Sequence, residues 1–257
     1  MKTRLALAAL AAGTTLTAHS THAALVAGDL AFVGFNADGD DGFAVVALSD
    51  IAAGEEVYFR DEEWDGSAFG SGEGEILWTT PTITAGTVFF FDDVDGPSPG
   101  VTASNGAATG TIADTPLDGT DSGPGDFGIS SSGETIFAFQ GSSNTPTTFI
   151  AAFSSTEGIE DDIAGTGLTL GTTAIALTGI SGDPDVAEYT GSRNSESAFG
   201  DYLALVNDVN NWTVLGDGSG DQSVPLSTTA FVIPEPASLG LLAVGGLLLA
   251  GRRRRSA

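Results

Sequence analysis

The sequence predicts an all-β protein, a single sandwich or jelly-roll-like domain held between two short terminal segments of different character. Three observations carry that prediction. Short apolar runs rich in aromatic and β-branched residues recur along the middle of the chain, and Gly, Pro, Asp and Asn cluster between them. Apolar spacing at the 3.6-residue period of a helix is nearly absent.

The chain opens with a different element. Lys2 and Arg4 precede an apolar stretch from Leu5 to Gly13, too short to cross a bilayer stably, and small residues lead to Thr21-His22-Ala23-Ala24. This is the three-part design of a secretory signal peptide over residues 1–23, with cleavage after Ala23.

The strands follow in order. Leu30 to Phe35 is a first run, the turn Asn36-Ala37-Asp38-Gly39-Asp40-Asp41-Gly42 reverses it, and Phe43 to Leu48 returns. Val57 to Phe59, Glu75 to Thr79, Thr87 to Phe91, Thr135 to Phe139 and Thr148 to Phe153 repeat the style. Leu168 to Leu170, Ala174 to Leu177 and Trp212 to Leu215 are later candidates, and Ser197 to Val206 is the best candidate for a short helix. Residues 96–134 are dominated by Gly, Ser, Thr, Pro and Asp. Only Val101-Thr102 and Thr111-Ile112 look like strand there, so a long surface loop is expected. The acidic domain is bounded at 24–230, and no fixed-period repeat is visible.

Residues 231–257 form the last element. Pro234-Glu235-Pro236 precedes an apolar stretch from Leu239 to Ala250, and Arg252, Arg253, Arg254 and Arg255 close it. A helix over 237–251 spans about 22 Å, short of the roughly 30 Å hydrocarbon core, with its arginines held on the cytoplasmic side. Pro-Glu-Pro, a short apolar helix and a terminal arginine cluster, in that order, resemble a PEP-CTERM sorting signal. The resemblance implies recognition by an exosortase, an integral-membrane processing enzyme of Gram-negative bacteria that make exopolysaccharide. It also implies an inner-membrane-anchored intermediate held through the C-terminal helix, then delivery to the cell surface or extracellular matrix.

A second resemblance covers residues 28–81. Gly28-Asp29-Leu30-Ala31-Phe32-Val33-Gly34-Phe35-Asn36, Val57-Tyr58-Phe59-Arg60-Asp61-Glu62-Glu63-Trp64 and Gly72-Glu73-Gly74-Glu75-Ile76-Leu77-Trp78-Thr79 are similar to a β-rich module of bacterial secreted proteins. It implies fold class and location, not an activity.

Composition narrows the chemistry. Outside the two ends the chain keeps 33 acids against Arg60 and Arg193, with no lysine, histidine or cysteine. A body near −31 has no means of replacing phosphate counterions, which excludes nucleic acid and anionic lipid as its partners. A Ser-His-Asp triad, a cysteine nucleophile, a Cys/His zinc site and disulfide stapling are all out of reach. Carboxylates, hydroxyls and two arginines remain.

Three groups of residues are candidates for that chemistry. Asn36, Asp38 and Asp40 match the first three ligand positions of an EF-hand calcium loop. Asp41 stands where that loop needs glycine and Ala47 where it needs glutamate, so only a calcium site of another type fits, against a plain hairpin turn favoured by Asn and Asp. Asp61-Glu62-Glu63 with Asp65, and Asp92-Asp93 with Asp95, offer carboxylate pairs for glycan hydrolysis. Trp64 and Trp78 suit sugar stacking or core packing. Arg60 and Arg193 are expected as counter-charges to nearby acids, and Asn211-Trp212-Thr213 matches an N-glycosylation sequon that arises readily by chance.

The reading is an exported, non-enzymatic protein with a structural or adhesive role in an exopolysaccharide or biofilm matrix. A carboxylate-based glycan hydrolase and a calcium-dependent carbohydrate-binding module are the alternatives.

Overall fold

The computed structural model describes residues 24–114, 127–155, 159–178, 184–216 and 225–235. The expected signal peptide with Ala23, the helix expected over 237–251, Pro236 and Arg252 to Arg255 lie outside the described residues. No helix among the described residues is long and apolar enough to cross a membrane.

Among the described residues, twelve strands form two six-stranded sheets with little helix. The first sheet has the order β12 (Trp212–Gly216), β11 (Val186–Tyr189), β1 (Leu30–Asn36), β2 (Gly42–Ala47), β5 (Val88–Asp92) and β6 (Gly100–Ala103). The second has the order β10 (Ala174–Ala176), β9 (Thr145–Ser154), β8 (Thr135–Ser142), β3 (Glu56–Arg60), β4 (Glu75–Thr79) and β7 (Thr111–Asp114). All neighbours pair antiparallel except β10 with β9.

The sheets close on an aromatic core. Phe59 lies 4.8 Å from Phe43 and 4.9 Å from Phe91 across the interface, and Trp78 lies 4.8 Å from Phe89. A bulge in β1 decides one of these contacts. Phe32 and Phe35 are three apart, so the two-residue period would send them to opposite faces. The register shift between Phe32 and Gly34 turns both toward Phe153, at 5.8 and 4.7 Å.

A smaller core covers the outer face of the second sheet. Tyr58, Phe137 and Phe139 point outward there and are roofed by Trp64, Phe69, Ile159, Ile163 and Leu168. The outer face of the first sheet is crossed by residues 225–233. Leu226 packs on Gly34, where a Cβ would stand 3.2 Å from it. This double cover is why β1 and β2 read as nearly unbroken apolar runs rather than as alternating ones.

Three expectations are corrected. Residues 96–134 are not one loop, because β6 and β7 lie there as edge strands of opposite sheets, and Phe127 and Ile129 are buried in the core. Leu168 to Leu170 is a turn joined to Ala174 by a single bridge. The helix expected over 197–206 is a 3₁₀ turn at Phe199–Asp201 followed by α2 (Tyr202–Val206), itself preceded in the chain by the one-turn α1 (Ile159–Asp162).

Candidate functional site

The hairpin between β3 and β4 gathers most of the buried charge. Arg60 ends β3 and Glu75 begins β4 directly opposite it, while β8 pairs on the other side of Arg60 through Phe137. Glu134, just ahead of β8, is thereby brought to the residues that leave β3, although 73 positions separate it from Asp61.

Arg60 is fully buried. Its Nη2 stands 3.7 Å from Glu62 Oε2 and donates to the Gly70 carbonyl at 3.2 Å; its Nη1 stands 3.8 Å from Glu75 Oε2. The Phe69 ring covers the guanidinium at 5.0 Å. The expected counter-charge role therefore holds for Arg60, whose burial depends on those acids.

The carboxylates around it outnumber it. Glu62, Glu63 and Glu73 each bring an oxygen to within 4.8 Å of the others. Glu62 Oε2 also accepts the Glu73 amide, and a Cβ on Gly70 would fall 2.3 Å from Glu62 Oε1. Asp61 has 0 % exposure and neither of its carboxylate oxygens has a hydrogen-bond partner. Burial pushes its carboxyl well above the usual range, reinforced by Glu134 and Glu73; the amides of Asp61 and Gly74 oppose the rise without forming a normal hydrogen bond. Burial pushes Glu73 up to about 7 and Glu134 up to about 8. Glu134 is better served than its neighbours, since its oxygens accept the amides of Ser130 and Thr135.

The other candidate residues are placed as follows. Asn36 is buried; its Oδ1 accepts the Asp38 amide and its Nδ2 donates to the Asp40 carbonyl at 2.9 Å, so it braces the turn that carries Asp38 and Asp40. Asp41, next in that turn, accepts the Ile129 amide at 2.7 Å and gives its own amide to Asp95. Burial, then Asp95, pushes Asp41 up to about 7. Asp65 is exposed and caps the amides of Ser67 and Ala68, apart from the glutamate group.

Trp78 is corrected as a sugar platform. It is wholly buried between the sheets with its indole N–H on the Thr109 carbonyl, so neither ring face meets solvent. Trp64 donates to the Ala164 carbonyl and packs edge-on to Phe69 and Phe149, and its remaining edge lines a shallow pocket with Glu63, Asp65, Phe69, Gly70 and Asp162. The Asn211 amide is engaged by the Leu205 carbonyl.

Arg193 is a counter-charge to Glu188 without pairing directly with it, and its hydrogen bonds go to backbone. Its Nη1 donates to the Thr229 carbonyl at 2.5 Å and its Nη2 to the Tyr189 carbonyl at 3.2 Å, with the guanidinium 5.0 Å over the Phe231 ring. It clamps the segment that leads out of the domain. Phe231 is buried against Tyr189 and Tyr202, its amide reaches the Gly86 carbonyl, and Tyr202 Oη donates to the Val232 carbonyl. The packed body thus runs past its expected end at residue 230, and Pro234 and Glu235 emerge exposed immediately after it.

Sequence reasoning found the triplet 61–63 and missed Glu73 and Glu134, which sit singly among glycines and serines. The only signal for Glu73 was its place in the Gly72-Glu73-Gly74-Glu75 run that leads into a strand. Residues 232–255, starting where the clamped segment ends, match the model of the PEP-CTERM protein-sorting motif. No curated protein and no solved structure matches the chain.

Proposed function

We propose that this chain, carrying a PEP-CTERM signal and hence exported and handled by an exosortase, works after processing as a non-enzymatic protein of the cell surface or exopolysaccharide matrix of a Gram-negative bacterium. The observation that carries the reading is the sorting motif at 232–255, set directly against the last packed residues of an acidic β domain. The role is structural or adhesive: a rigid two-sheet body displays carboxylate loops through which divalent cations bridge it to anionic glycans.

Composition supports the absence of catalysis. The body lacks His, Cys and Lys.

Deleting Pro234 to Ala257 tests the sorting premise. Loss of membrane retention and of the processed form, read by fractionation and mass of the exported chain, is expected; unchanged fractionation refutes it. Incubation of the exported protein with its own producer's exopolysaccharide tests the role, with co-sedimentation and no release of reducing ends as the expected outcome.

A further inference from the structure

Glu62, Glu63 and Glu73 bring three carboxylate oxygens within 4.8 Å of one another. Carboxylates this close repel one another where water is partly excluded. Arg60 relieves part of that repulsion but is divided between Glu62 and Glu75, at 3.7 and 3.8 Å. A second, independent feature adjoins the group. Asp61 has 0 % exposure, no hydrogen-bond partner on either carboxylate oxygen, and faces Glu73 and Glu134. Oε2 of Glu73 is likewise buried and without a partner. Buried acceptors left without donors are strongly disfavoured, and Glu73, which carries one of these three oxygens, belongs to the group itself.

A positive ion resolves both features at once. The donors are all oxygens, which selects a hard cation over zinc or copper. Three oxygens within 4.8 Å of one another can share the oxygen shell of one hard divalent cation. Gly70 fits the same picture, since any side chain there would push into Glu62 Oε1. Glu134 has both oxygens on backbone amides and serves as the wall behind Asp61.

We propose that Glu62, Glu63 and Glu73, with the buried Asp61 nearby, bind a hard divalent cation such as calcium that ties the 61–75 loop to the end of the second sheet. The site is separate from the Asn36 turn and independent of how the chain is sorted.

The test uses the full chain in detergent, stripped with chelator and titrated with calcium. At one hundred times Kd the melting temperature is expected to rise by about 5 °C or more. Terbium substituted for calcium is expected to luminesce on excitation of Trp64, which lines the pocket beside Glu63. Glu62→Gln with Glu73→Gln removes the calcium shift and the luminescence, although losing the Glu62 charge beside buried Arg60 can lower the melting temperature without calcium. Glu63→Gln, on an exposed side chain, keeps the fold and weakens calcium affinity about tenfold, reading the site even if the double variant does not fold. Asp38→Asn with Asp40→Asn leaves the shift intact. No shift in the parent, a shift that survives the Glu62/Glu73 change, or one lost on changing Asp38 and Asp40 overturns the proposal.

Discussion

At the scale of single residues, the body's chemistry is decided by which carboxylates are hidden. Asp41 is the clearest case outside the glutamate group, because its Oδ2 accepts a buried amide while burial and Asp95 hold its carboxyl up near 7. A carboxyl raised on folding keeps its proton in the native state after the unfolded chain has released it. Its contribution to stability is full below about 4, the unfolded value, and is lost as pH climbs through about 7. Asp41→Asn keeps an acceptor for Ile129 and has no proton to lose. Denaturant melts between pH 4 and 8 should show the parent losing stability with rising pH and the variant losing less; parallel profiles would rule this out. The sequence showed Asp41 only as a misfit in an EF-hand pattern. Its burial comes from Val94 and Ile129, which no local window contains.

At the scale of elements, the segment 225–233 changes the meaning of the C-terminus. No strand is expected in it, since it opens on a proline and lacks a strand pattern, yet it roofs the first sheet through Leu226 and Phe231 and is clamped by Arg193. Arg193→Ala removes two hydrogen bonds from a charged donor and the stacking on Phe231. A loss of roughly 1–3 kcal/mol is expected. Limited proteolysis followed by mass mapping should show new cuts between residues 225 and 233 before any in the strands. Uniform protection equal to the parent's would show that Arg193 holds nothing. The same element explains why β1 and β2 are apolar on both faces, a pattern that by itself only says buried strand. Strand identity was legible nearly everywhere that aromatic and β-branched residues ran together, as in β3, β4 and β8. Val186 to Tyr189 escaped notice because four residues including Glu188 make too short a run to stand out from loop.

At the scale of the whole molecule, a body near −31 with two arginines folds against its own repulsion. Dissolved salt screens exposed charges over about 10 Å at 0.1 M and about 3 Å at 1 M. The melting temperature should therefore rise from 10 mM to 1 M sodium chloride with calcium chelated throughout. A flat or falling profile would show that the acids are spaced widely enough for repulsion to be negligible. Two stacked sheets suit such a charge, because loops at the rims carry acids outward while 41 % hydrophobic composition fills the space between.

The sequence by itself determined what depends on order and composition. The sorting motif is read in linear order at the extreme C-terminus, the missing His, Cys and Lys are matters of counting, and the strands follow from local periodicity. Tertiary structure alone decided what depends on distance. It buried Trp78, set Arg193 on the exit segment, and brought Glu73 and Glu134 to Asp61 from 12 and 73 positions away. Repulsion and burial act through space, so a cluster made by pairing β3 with both β4 and β8 leaves no trace in spacing along the chain.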